Sequence, residues 1–346
     1  MGVEYAGVLW NKQKKQYDKI MAFAILWMVI LFVVLHLVFQ PDFTAETLII
    51  RTSAFVAFTL LNFILIIGPL ARLQPAFLPL LYNRRHLGVT MFFFAAIHGI
   101  FSIIQFHALG NINPIVSVFL SNTKYEAISE FPFQVLGFFA LIILFLMAIT
   151  SHDFWLKNLS PKFWKGLHMM VYLAYTLIVL HVATGILQYE NNLLYWMLLI
   201  GSFGLVAGLH LASAWKERKW RKTQVYQLEK DNFFEVATVK EIPDNCGKGI
   251  WIADQNIAIF KYNNCLSAVN NVCRHQMGPL AEGQVVEGCI TCPWHGYQYQ
   301  PEDGQSPPPF HEKLETYQLA VLNGKIWVNP DPMPEGTYVA PIKITD

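Results

Sequence analysis

Cys273-Arg-His275-Gln-Met-Gly-Pro-Leu280 and Cys292-Pro-Trp-His295-Gly-Tyr-Gln-Tyr299 are two short clusters that each carry one thiol and one imidazole, with sixteen residues between His275 and Cys292. Two Cys and two His are a ligand set for a [2Fe-2S] centre in which Cys holds one iron and His replaces Cys on the other, raising the potential. Cys-x-His and Cys-x-x-His can reach the two irons as two tight loops, and Gly278, Pro279, Pro293 and Gly296 suit such turns. Tetrahedral zinc is the competing reading, since the same four side chains would satisfy it, but zinc fingers keep like ligands together.

Both clusters, together with Leu314-Glu-Thr-Tyr-Gln-Leu-Ala-Val-Leu-Asn-Gly-Lys-Ile-Trp-Val328, resemble the Rieske ferredoxin family over residues 221–346. The resemblance implies a small all-β domain of antiparallel strands, two ligand loops at one end, and Cys273, His275, Cys292 and His295 as the metal ligands. Respiratory-complex members add a disulfide between the loops. Gly278 and Trp294 stand near those positions here, which is the ferredoxin and oxygenase pattern, and a lower potential is implied. The two His ligands are expected at the exposed tip, where electrons enter or leave. Cys246, Cys265 and Cys289 fit no second ligand pattern and read as small buried residues of a reducing compartment.

The rest of the chain is of another kind. Of 346 residues, 54% are hydrophobic and only 14% charged, too apolar for a soluble protein of this length. The excess lies in six runs, 21–39, 48–70, 87–106, 133–150, 167–187 and 193–214, each near the ~20 residues that cross hydrocarbon as a helix. The first lacks a small-residue cleavage site and is read as retained. The expected fold is therefore a membrane all-α six-helix bundle over residues 1–220, followed by the Rieske domain over 221–346.

Loop charge orients the bundle, because Lys and Arg collect on the cytoplasmic side. Lys12, Lys14, Lys15 and Lys19, then Arg72, Arg84 and Arg85, then Lys157, Lys162 and Lys165, and finally the basic run 216–222, all fall on one side of a six-span model. The opposite loops hold one Lys and no Arg. The N-terminus and the Rieske domain are thus expected in the cytoplasm and the spans in the inner membrane. A net charge of +1 gives no reason to expect nucleic acid, and the basic run suits anionic lipid headgroups.

Ionisable residues inside spanning helices are functional candidates. His98 lies in the third run, and His168 and His181 in the fifth, thirteen residues apart. At ~1.5 Å per residue that separation is roughly 20 Å, enough for one imidazole in each half of the bilayer. Thirteen steps of ~100° leave the two rings off a common face, so a bend in the helix, or groups on different sides of it, is required.

Arg84-Arg-His-Leu-Gly88 with His98, and Thr150-Ser151 with Trp164-Lys-Gly-Leu-His168 and His181, are similar to the ferric-reductase-like transmembrane family. The match is greatest to the branch that forms the haem-binding membrane subunit of a methionine sulfoxide reductase system. The resemblance implies a b-type cytochrome with His98, His168 and His181 at the haem-ligand positions. His98 and His181 should share the outer level. At the inner level two readings stand: a second haem held by His86 and His168, or a His168 that contacts a propionate or a neighbouring helix. The number of b haems is one or two. His36 and His210 read as packing or interface residues, and Arg51 as a candidate for a haem carboxylate.

No Gly-x-Gly-x-x-Gly turn joins a strand to a helix, so the chain is not expected to take hydride itself. Room is also lacking for the separate mononuclear iron domain of a Rieske oxygenase. Whether the chain is an enzyme in its own right or an electron-transfer subunit stays open. The expected function is passage of single electrons from a cytosolic reductase or ferredoxin through the cluster and b haem to a quinone or periplasmic acceptor. Two alternatives remain: reverse flow from quinol or a periplasmic donor to a cytosolic oxygenase, and a redox-sensing membrane module.

Overall fold

The computed structural model describes residues 12–40, 42–81, 83–126, 130–159, 161–189, 193–222, 226–227, 232–275, 277–294, 296–308 and 310–344. It divides into two compact units, one of Asn11–Ile67 with Asn83–His210, the other of Gly68–Tyr82 with Leu211–Asp346.

Helices come first: α1 Lys12–Phe39, α2 Ala45–Leu73, α3 Arg84–His107, α4 Pro114–Leu120, α5 Phe133–Thr150, α6 Asp153–Asn158, α7 Pro161–Met169, α8 Val171–Thr184, α9 Ile186–Tyr189 and α10 Leu193–Lys222. Six stretches are long and apolar enough to cross a membrane: Lys15–Phe39, Ala45–Leu73, Arg84–His107, Phe133–Thr150, Phe163–Thr184 and Leu193–Lys216. Their outward faces stay apolar, with Phe23 and Phe39 each 76% exposed. In water such a surface is a liability, whereas in lipid it is the expected exterior. The short α4 starts where Pro114 takes the first helical position and the Asn113 side chain accepts the Ile115 N–H at 3.0 Å.

The fifth apolar run is not one straight helix. Between α7 and α8 the Met170 N–H bonds to the Leu167 carbonyl at 3.1 Å, three residues back, before the four-residue pattern resumes from Ala174 to Met170. A tightened turn of this kind is a common place for a helix to change direction. It falls between His168 and His181, where the angular arithmetic calls for a bend or for groups on different sides of the helix. α8 then ends at Gly185, so α9 is a separate short turn.

The β half contains strands β1 Tyr226–Gln227, β2 Phe234–Thr238, β3 Cys246–Ile252, β4 Gln255–Tyr262, β5 Cys265–Asn270, β6 Gln284–Val286, β7 Cys289–Thr291, β8 Gln298–Tyr299, β9 Thr316–Tyr317, β10 Leu319–Leu322, β11 Lys325–Val328 and β12 Ile342–Lys343. One sheet runs β1-β2-β11-β10, and the other runs β12-β5-β4-β3-β6-β7-β8 with β9 added on β5; every pairing is antiparallel. Four connections are two-residue turns with both central residues at positive φ: Ala253-Asp254, Asn263-Asn264, Glu287-Gly288 and Asn323-Gly324. That backbone matches the twist of the strands it joins, which fixes the hairpin registers.

β4 is the shared wall of the domain. Ile257 and Ile259 point into one core with Val236, Ile250, Leu266 and Ile326. Ala258, Phe260 and Tyr262, alternating with them, point into a second core that contains Cys273 and Cys292. The period of two along one strand thus serves both the body of the domain and the end that carries the ligand loops.

Candidate functional site

The two ligand loops follow one backbone plan. In the first, the Cys273 N–H bonds to the Gly278 carbonyl (2.9 Å) and the Met277 N–H to the Cys273 carbonyl (2.8 Å). In the second, the Cys292 N–H bonds to the Tyr297 carbonyl (2.7 Å) and the Gly296 N–H to the Cys292 carbonyl (2.9 Å). The fourth residue after each Cys, Met277 or Gly296, sits at positive φ. Both cysteines are 1% exposed, and a Cβ at Gly278 would fall 3.0 Å from Cys292 Sγ and 3.1 Å from Trp294. The absence of a side chain there lets the loops close over each other. Two buried sulfurs on facing loops, with His275 in the first, fit a [2Fe-2S] cluster. His295, the fourth expected ligand, lies outside the described residues.

Tyr299 and Tyr297 line the floor. The Tyr299 hydroxyl accepts the Arg274 N–H at 2.9 Å and lies 3.5 Å from Cys273 Sγ. As a cluster thiolate Cys273 would only accept, which would make the phenol the donor there. Burial, reinforced by the nearby Cys273 charge, pushes the Tyr299 phenol up and keeps its proton in place. Tyr297 stacks on the His275 ring (centroids 4.9 Å, 11°) and donates to Glu312. Arg274 is clamped by Glu315 at 2.8 Å and Glu335 at 2.5 Å, fixing the residue between Cys273 and His275.

Hydrogen bonds to cluster sulfurs are one of the levers on potential. Tyr299→Phe is therefore expected to lower the cluster's midpoint potential, because the phenol stabilises the added negative charge. A charged hydrogen bond of about 1.5 kcal/mol corresponds to roughly 60 mV for one electron. An EPR-monitored redox titration checks this, and an unchanged potential would discard the role.

In the helical unit the structure brings His98 and His181 together, ring centroids 6.2 Å apart and planes at 81°. Nδ1 of His98 lies 3.1 Å from the Ile50 carbonyl, and Nδ1 of His181 lies 2.8 Å from the Phe133 carbonyl. A carbonyl only accepts, so each ring donates from Nδ1 and, as a neutral imidazole, leaves Nε2 unprotonated and available to a metal ion. Two imidazoles binding one ion between them, with bonds of about 2.0–2.1 Å and nitrogens about 1.1 Å from each ring centre, would sit about 6.3 Å apart. The observed spacing fits that arrangement. A Cβ at Gly137 would meet the His181 ring at 2.8 Å, so a side chain at this position would force the ring or α5 to shift.

Comparison with known families separates the same two parts: the Rieske [2Fe-2S] domain model matches residues 232–318, and the ferric reductase like transmembrane component model matches residues 53–179. The chain joins a ferric reductase like transmembrane component to a Rieske [2Fe-2S] domain. Among similar curated proteins, the chloroplastic Protein TIC 55 of Pisum sativum is 24% identical over 126 residues, 34% of this chain and 23% of its own. The anthranilate 1,2-dioxygenase ferredoxin subunit of Burkholderia cepacia is 31% identical over 74 residues, 21% of this chain and 68% of its own. The heme-binding subunit MsrQ of protein-methionine-sulfoxide reductase from Deinococcus radiodurans is 32% identical over 123 residues, 35% of this chain and 55% of its own. The chain thus spans less than a quarter of TIC 55 and just over half of MsrQ.

Elsewhere in the ferric reductase like component, His168 and His86 have separate partners. Thr150 Oγ1 donates to the Leu146 carbonyl at 2.7 Å and lies 3.3 Å from His168 Nε2, so it accepts from that nitrogen. Trp164 stacks on the His168 ring at 3.8 Å and donates to the Thr150 carbonyl at 3.0 Å. His86 Nδ1 lies 2.9 Å from Asp18 Oδ2. Asp18 went unnoticed in the sequence, although it is an acidic residue within a lysine-rich stretch. His36 stacks on Phe32 (4.5 Å), and His210 lies 3.1 Å from the Tyr172 hydroxyl. Arg51 lies 4.1 Å over the Phe43 ring and reaches Gln40.

Proposed function

We propose that this multi-pass membrane protein passes single electrons between a cytosolic reductase or ferredoxin on one side and a quinone or periplasmic acceptor on the other. The [2Fe-2S] cluster and b haem supply one-electron chemistry when bound. Cys273, His275, Cys292 and His295 would hold the cluster, and His98 with His181 the haem. The paired approach of those two rings, each with Nδ1 committed to a backbone carbonyl, carries the reading. The Rieske and ferric reductase like matches support it, as do relatives described as a ferredoxin subunit and as a heme-binding subunit.

The N-terminus and Rieske domain are placed in the cytoplasm of an inner membrane, on the strength of the basic loops. A second haem between His86 and His168 is the finer alternative. The Asp18–His86 pair favours it, since a carboxylate at Nδ1 orients a ligating imidazole. Thr150 at His168 Nε2 favours the single-haem form. Reverse flow toward a cytosolic oxygenase is the competing direction.

The test is one redox titration of the purified full chain, following the cluster by EPR and the haem optically. Both signals should appear in one preparation, and the order of potentials assigns direction. A preparation in which no haem copurifies would sink the reading.

A further inference from the structure

Two half-buried glutamines, Gln105 and Gln134, lie on the helices that carry the His98/His181 site. Gln105 Oε1 and Gln134 Oε1 are both enclosed and, among the described residues, without a hydrogen-bond partner. An enclosed amide oxygen with no partner is costly in any environment and more so in lipid. Both lie at the end of the bundle where residues 108–132 connect α3 to α5.

Each also shares a helix face with a residue of the site. Gln105 is seven residues beyond His98 on α3, two turns or roughly 10.5 Å along the axis. Gln134 stands three residues before Gly137, whose Cα faces the His181 ring, and directly follows Phe133, whose carbonyl holds His181 Nδ1. One amide therefore comes from the His98 side and one from the His181 side, both displaced toward the same end.

A glutamine amide can be turned over so that either atom occupies the enclosed position, which at Gln105 costs no bond. Gln105 Nε2 lies 3.2 Å from Thr47 Oγ1. A hydroxyl both donates and accepts, so turning the amide over keeps the Thr47 bond and directs N–H to where Oε1 points. A group suited to two amide donors inside an apolar bundle is an anion with more than one acceptor. Arg51 is engaged instead with Phe43 and Gln40.

We propose that Gln105 and Gln134 hydrogen-bond the carboxylates at the edge of the haem, forming the rim of its pocket at the end joined by residues 108–132. This rests on a b haem being held by His98 and His181. Neutral donors on those carboxylates draw charge away from the macrocycle and ease its reduction, without placing a second charge in the bilayer.

The test uses the full-length protein with Gln105→Met and Gln134→Met, singly and together, Met being close in length and unable to donate. With native haem, each change should shift the reduction equilibrium 3- to 10-fold toward the oxidised form, about 30 to 60 mV lower for one electron. After reconstitution with haem dimethyl ester, whose edge carries no anion, the same substitutions should shift it less than 2-fold. Native-haem potentials within 2-fold of wild type, or equal shifts with the ester, would overturn the proposal. Gln134→Asn, which keeps the amide, serves as rescue: it should retain haem even if the double variant does not, and equal haem loss in Asn and Met variants would also count against the role. If wild-type protein carries no haem, the parent reading fails instead.

Discussion

His181→Ala is expected to abolish the b-type α band of dithionite-reduced membranes, and His98→Ala to do the same, while His36→Ala leaves it intact. His98 and His181 approach to 6.2 Å, and each is locked by a backbone carbonyl that leaves only Nε2 to bind. Removing one ring would leave a single imidazole to hold the haem, and the carbonyl that had oriented the lost ring would be left without its donor. Loss of an orienting partner alone typically costs 10- to 100-fold in metal affinity, on the order of 1.4–2.7 kcal/mol, so loss of the ligand should exceed that. Gly137→Ala should give an intermediate result, because its Cβ would press on the His181 ring from 2.8 Å and displace it without deleting it. His36 stacks on Phe32 and serves as the packing control. Optical difference spectra per milligram of membrane protein decide the matter. A His181→Ala band of wild-type intensity would remove this pair from consideration as ligands.

The second large effect lies in the other half. Cys273→Ala or Cys292→Ala should eliminate the Rieske EPR signal and sharply increase proteolysis of residues 232–344, with the b-type band unchanged. Both sulfurs are buried in the core formed with Phe260, Leu280, Ile290 and Tyr299, so alanine would remove a proposed ligand and also open that core. Ligand loops that bind metal commonly take part of their folding free energy from it. The unchanged haem is the discriminating outcome, because its ligands come from different residues. Loss of both signals in Cys292→Ala would mean that the two cofactors are not held independently.

Local spacing made much of this legible. Cys-x-His and Cys-x-x-His are short enough to show in the sequence as paired metal-binding loops, and each apolar run corresponds to a helical stretch that meets the length for crossing. Asn323-Gly324 is a recognisable hairpin signal, whereas Ala253-Asp254 takes the same positive-φ path with residues that do not announce it. What escaped was long-range. Nothing near His98 in the chain points to the Ile50 carbonyl, forty-eight residues away, and nothing near Cys273 points to the Tyr299 hydroxyl. The turn at Met170 was also hidden, because Leu-His-Met-Met-Val-Tyr-Leu reads as uninterrupted helix by composition. His86 and His168 could be ranked as level mates only by counting residues. Their partners, Asp18 and Thr150, depend on how α1 meets α3 and how α5 meets α7.

Strand β4 has a bearing on how the Rieske domain comes apart. Since Ile257 and Ile259 face one core while Ala258 and Phe260 face the one around the cysteines, neither can loosen without dragging the other. Heating should therefore bleach the cluster's visible colour and dissolve the β-sheet signal over the same few degrees. Amide protons along β4 should be among the slowest in the domain to exchange with deuterated solvent, escaping only when the whole domain opens.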